Sequence, residues 1–157
     1  MGIKEVLLHP APILLTPSAS IQIEEDNTAQ IAEISALVQD LTDTMIAAEG
    51  VGLAAPQIGV LQRVIVYRTN YGIVHLINPE IVAFSGYVRS FDEGCLSCPD
   101  FWVDVRRKKE IVVHGYTVKA GKIVEFREKV RDKTTSFRIQ HEVDHLDGIT
   151  IKERARK

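Results

Sequence analysis

The sequence predicts an α+β fold, with antiparallel β-sheets packed around a C-terminal helix and one long amphipathic helix ahead of the strands. Three observations predict it. Ile31, Ile34, Leu37, Val38, Leu41 and Met45 recur at spacings of three and four, which lays one apolar stripe along a helix. Residues 62–130 are rich in β-branched and aromatic side chains without a helical interval, and strands joined in that way pair antiparallel. A last helical stretch carries the pattern His-Glu-x-x-His and closes at Asp147-Gly148. With 157 residues, 45% hydrophobic and 25% charged, the chain has the size and balance of one domain with a sizeable core.

Taken in order, residues 1–27 read as irregular, because Pro10, Pro12 and Pro17 remove backbone donors and favour turns. Ile13-Leu14-Leu15 and Ile21-Gln22-Ile23 read as short edge pieces packed on the body. The apolar stripe begins at Asn27 or Thr28, either of which can cap the helix, and Gly50 is its stop signal. Gly50-Val51-Gly52-Leu53-Ala54-Ala55-Pro56-Gln57-Ile58-Gly59 follows, and it fits neither phosphate-binding glycine pattern. It reads either as a tight connection or as a loop that lines a cleft and offers backbone groups to a ligand. Segments 63–67, 72–77 and 80–84 read as strands, punctuated by Asn70, Asn78-Pro79 and Ser85-Gly86. Segments 110–117 and 122–126 flank Lys119-Ala120-Gly121, a hairpin turn. Thr134, Thr135 or Ser136 caps the final helix.

That helix carries the chemistry. His141 and His145 lie four apart and share one face, so two imidazoles can meet one metal ion, with the Glu142 carboxylate beside a water bound to it. A catalytic site of this kind needs a third protein ligand and an open position. Cys95 and Cys98 are the only thiols, and three readings of them compete. Both can be buried, apolar-like cysteines. Both can join the two histidines in a closed structural zinc site. One alone can join them in a catalytic site, and a carboxylate beside the first histidine favours this reading, because only an open site uses a base. His9, His75 and His114 lack ligand spacing and read as structural or surface residues.

Gly-Val-Gly-Leu-Ala-Ala-Pro-Gln at 50–57, Glu-Gly-Cys-Leu-Ser at 93–97 and Gln-His-Glu-Val-Asp-His at 140–145 together resemble the three signature motifs of peptide deformylases, in order and in separation. The resemblance covers most of the chain and implies one deformylase-like catalytic domain over residues 1–157, a short form without a long C-terminal extension. It implies that Cys95, His141 and His145 hold one divalent metal, natively Fe(II), with zinc, nickel or cobalt able to replace it. Glu142 then matches the general acid and base, and Gln57 and the Leu96 N–H match the oxyanion donors. Gly50, Val51, Gly52, Phe91, Glu93, Gly94 and Phe137 match substrate-binding positions, with Val51, Phe91 and Phe137 in the pocket for the methionine side chain. Cys98 falls where the family has an aliphatic residue, which argues against its being a ligand. The implied reaction removes the N-formyl group from the formylmethionine of nascent polypeptides and releases formate.

Several residues depart from the family pattern. Arg138 replaces a small or apolar residue, Thr134-Thr135-Ser136-Phe137 replaces a Gly-Leu start of the last helix, Asp100 stands for a glycine and Trp102 for an arginine; Arg107 keeps a basic residue. The chain ends soon after Gly148 in a charged tail, which puts docking on the ribosome in doubt. The competing functions are a zinc peptidase, whose third ligand would have to be Asp147 or Glu153, a structural zinc module, and a relative acting on another N-acyl group. A net charge of −2 gives no support for nucleic acid as a main partner. The absence of a long apolar run, of a signal-like start and of a disulfide framework points to the cytoplasm and away from a membrane.

Overall fold

The computed structural model describes residues 2–155; Met1 and the last two residues of the charged tail, Arg156 and Lys157, lie outside the described residues. The order of elements is helix α1 (Thr28–Ala47), strands β1 (Gly52–Ala54), β2 (Val64–Thr69), β3 (Gly72–Cys95), β4 (Cys98–Lys119) and β5 (Lys122–Val130), then helices α2 (Lys133–Leu146) and α3 (Ile151–Arg154). The strands form one antiparallel sheet in chain order, β1-β2-β3-β4-β5. The expectation of several sheets is therefore corrected to a single five-stranded sheet.

Alternation along β2 explains the two cores. Val64 and Val66 face Leu37, Leu41 and Met45 of α1, while Ile65 and Tyr67 face Ile139, Val143 and Leu146 of α2. The helices thus cover opposite faces of the sheet. In α1, Asn27 is the cap and its side chain accepts from Gln30 N at 3.0 Å. The stop differs from expectation. Glu49, at φ 55°, takes the left-handed position, with Glu49 N donating to Ile46 O and Gly50 N to Met45 O. Gly50 packs closely instead, since a Cβ there would sit 2.9 Å from Leu96 Cδ1 and push that methyl aside.

Other local expectations are corrected as well. Residues 12–15 form a 3₁₀ turn, not an edge piece, and Gly52–Ala54 is a buried strand within the glycine segment. The predicted break at Asn78-Pro79 is a register shift inside β3, where a bulge absorbs the missing proline donor. Asp132, not a residue of 134–136, caps α2 by accepting from Thr135 N at 3.1 Å. Gln140 then ties α2 to β4. Its amide accepts from Lys108 N and donates to Lys108 O, both at 2.8 Å, as a neighbouring strand would.

Candidate active site

Two distant segments meet where α2 crosses the end of the β3–β4 hairpin. Further register shifts between Ser90, Glu93 and Cys95 turn the end of β3, and Cys95 pairs with Cys98 across the two-residue turn Leu96-Ser97. Ligand atoms of Cys95, His141 and His145 lie within 4.8 Å of one another. His145 Nε2 is 3.3 Å from Cys95 Sγ. His141 Nδ1 bonds Glu93 Oε1 at 2.9 Å, which fixes its tautomer and leaves Nε2 as the coordinating atom. Thiolate with two imidazoles is a donor set for zinc or ferrous iron. Cys98 is not in this group, and neither are Asp147, paired with Arg63, and Glu153, bonded to His9.

The electrostatics fit a cation. The neighbouring Cys98 sulfur, burial and the Glu142 carboxylate all push the Cys95 thiol up, so a dication is what would make its thiolate. Burial and the nearby His141 hold His145 neutral, the form that coordinates. Glu142 is 4% exposed, its Oε1 has no hydrogen-bond partner among the described residues, and burial raises its pKa to about 7. An unpartnered buried carboxyl oxygen beside the Cys95-His141-His145 cluster is the place for a water or a reacting proton.

Gln57 faces the same point. Ala54 N donates to its Oε1 at 2.9 Å, which turns Nε2 toward Ser97 Oγ at 3.0 Å and Cys95 Sγ at 3.7 Å. Gln57, Cys95, His141 and Glu142 border a cavity of about 750 Å³ that Val51, Phe91, Gly94, Leu96 and Phe137 also line. Neither Val51, Phe91 nor Phe137 belongs to a core cluster, and Phe91 is 71% exposed. Gly52 lies so close to Glu142 that an added Cβ would collide with its carboxyl group, 2.9 Å from Cδ. Gly52→Ala is expected to displace Glu142 and cut turnover at least 10²-fold, the lower range of general acid–base effects. Unchanged turnover in a folded variant would show that the carboxylate has room to shift.

The model of the polypeptide deformylase family matches residues 3–157. The chain belongs to that family. A peptide deformylase of Desulforudis audaxviator is 39% identical over 99% of this chain and 95% of its own length. Peptide deformylase 1 of Bacillus subtilis is 37% identical, covering 100% of this chain and 92% of that protein. Among solved structures, the class I type b peptide deformylase of Acinetobacter baumannii has a TM-score of 0.82 at 32% identity, over 98% of this chain and all of that one. The deformylase of Vibrio parahaemolyticus bacteriophage VP16T, solved with actinonin, has a TM-score of 0.78 at 38% identity, over 93% and 98% of the two chains.

Within this deformylase frame, Glu93 also serves its own chain. Glu93, read from the resemblance as substrate-binding, borders the cavity but spends its carboxylate on protein partners. It accepts from His141 and, at 3.0 and 2.5 Å, from Arg107 Nε and Nη2. Burial would raise its pKa, but these bonds and the Arg107 charge hold it near 2. Arg107, 3% exposed, also donates to Asp144 at 2.6 Å, and Arg154 of α3 bonds the same carboxylate. In the sequence Arg107 signals only a basic position; its two partners, fourteen residues before and thirty-seven after it, follow no local pattern. Arg138 lies on the cavity wall and donates to Arg68 O at 3.0 Å, and Trp102, 63% exposed, borders the cavity over Gly94.

Proposed function

We propose that this chain is a single catalytic domain that hydrolyses the N-formyl group of formylmethionyl peptides. Water and the formyl amide become formate and a free α-amine. The observation that carries the reading is the convergence of the Cys95-His141-His145 donor set, the unpartnered Glu142 oxygen and the Gln57 amide on one cavity.

Cys95, His141 and His145 would hold a divalent cation, which would supply Lewis acidity to the formyl oxygen and to water. Ferrous iron is the native ion proposed, with zinc, nickel or cobalt able to stand in. Glu142 takes the proton of the attacking water and returns it to the leaving amine, and a pKa near 7 suits both transfers. Gln57 Nε2 and the Leu96 N–H donate to the oxyanion that forms as the carbonyl carbon becomes tetrahedral. Val51, Phe91 and Phe137 hold the methionine side chain, and the Gly50–Gly52 segment lies along the peptide backbone. The substrates are nascent chains in the cytoplasm. No helix among the described residues is long and apolar enough to cross a membrane.

Formate release from a formylmethionyl peptide, set against cleavage of internal peptide bonds, tests the reading, with metal content measured after anaerobic purification. Formate without internal cleavage is expected; the reverse would make the protein a peptidase. Gln57→Ala is expected to keep its fold and metal and to turn over about 10²–10³-fold more slowly. Loss of metal from that variant would instead make Gln57 a support of the ligands. The guanidinium of Arg138 on the cavity wall favours one second reading, a preference for another N-acyl group. Acetylmethionyl peptide turned over faster than formylmethionyl peptide would establish it.

A further inference from the structure

Cys98 is the thiol that this chemistry leaves unused. It is the register partner of Cys95 across the Leu96-Ser97 turn. Directly opposed residues of antiparallel strands have Cα atoms about 4.5–5.5 Å apart. That lies inside the range of about 4.4–6.8 Å that a disulfide spans. Both cysteines are free. Their access differs. Cys95 lines the cavity, whereas Cys98 is 3% exposed, outside the cavity lining and close to His9 and Lys152. A solute entering the cavity meets Cys95 first, with a second sulfur within bonding reach on its protein side.

We propose that Cys98 is a resolving thiol for Cys95, converting peroxide damage at the metal-ligand position into a reversible disulfide. In the first step the Cys95 thiolate attacks hydrogen peroxide: the O–O bond breaks, one OH joins the sulfur as a sulfenic acid, and the other leaves as hydroxide, which a proton from solvent turns to water. The Cys98 sulfur then attacks the Cys95 sulfur. The S–O bond breaks, the S–S bond forms, and the hydroxyl departs with the Cys98 proton as a second water. A dithiol reductant returns two electrons and two protons and becomes a disulfide itself. Without a second thiol the sulfenic acid proceeds to sulfinic and sulfonic acids, which thiols do not reverse. The metal release that accompanies the disulfide rests on the ligand role read for Cys95 above; the disulfide itself does not.

The test oxidises the metal-loaded full chain with hydrogen peroxide, comparing wild type with Cys98→Ser and Cys98→Ala. Intact mass, thiol alkylation and bound metal are measured before and after dithiothreitol. The wild type is expected to become about 2 Da lighter with both thiols blocked, to lose its metal, and to regain both after reduction. The variants are expected to gain about 32 or 48 Da at Cys95 and not recover. Wild-type protein that gains oxygen at Cys95 while Cys98 stays alkylatable would overturn the proposal, as would variants that recover fully. A Cys95→Ser chain that still binds metal would overturn the ligand reading alone, because the disulfide is scored by mass.

Discussion

Replacing Glu142 with glutamine is expected to lower kcat/KM for formyl-peptide hydrolysis by about 10²–10⁴-fold while metal content stays unchanged. Glutamine keeps the shape of the side chain, and an added atom has no place there, with Gly52 packed against the carboxyl group. What it loses is the ability to take a proton from water and return it to the amine. The substitution also removes a carboxyl group that is costly to ionise in its buried setting, so the variant should fold at least as well as the parent. Steady-state kinetics with metal analysis on the same sample decides the matter. A variant that loses its metal would make Glu142 a ligand-supporting residue; one that keeps its rate would take the base away from this position.

Arg107→Met carries the largest expected effect on stability. The guanidinium is buried and serves two carboxylates, Glu93 through two bonds and Asp144 through one. Removing one partner of a buried ion pair typically costs about 3–5 kcal/mol, because the other charge is left without compensation. Domains of ordinary stability have about 5–15 kcal/mol in total. Asp144 keeps Arg154, so Glu93 is the group most exposed to the loss. Glu93 orients His141, and metal affinity should therefore fall with stability. Denaturant unfolding of the metal-free protein together with metal titration measures both. Arg107→Met/Glu93→Gln should recover part of the stability, since it removes one stranded charge. Equal stabilities of the single variant and wild type would show that water reaches the network.

The parts of the molecule written in local patterns were legible before the structure. The α1 stripe, the β-rich middle, the 119–121 turn and the pairing of His141 with His145 each depend on neighbours within a few residues. Cys95 was legible only through the motif around it, since spacing alone left Cys98 an equal candidate. What stayed hidden depends on distant partners. Nothing in Gln140 announces that its amide joins the backbone of β4, and nothing in Glu93 announces that Arg107 and His141 take both its oxygens. Pro79 misled because a proline normally ends a strand, and here a bulge accommodates it within one long strand. Asp132 does not stand out as a cap in the sequence because several hydroxyl residues follow it at equally suitable positions.

The order of strands in the sheet equals their order in the chain. Three of the four pairings, β2-β3, β3-β4 and β4-β5, can therefore zip from a two-residue turn, with little loop-closure entropy to overcome at the start. The helix α2 is different: its docking brings His141 and His145 to Cys95 across about forty-six to fifty residues of intervening chain. The Cys95-His141-His145 cluster is thus completed by a nonlocal step of assembly. A metal-sensitive optical signal, such as the thiolate charge-transfer band of a cobalt-substituted chain, should then rise after the β-sheet dichroism during refolding, and its lag times the arrival of α2 on a sheet already formed.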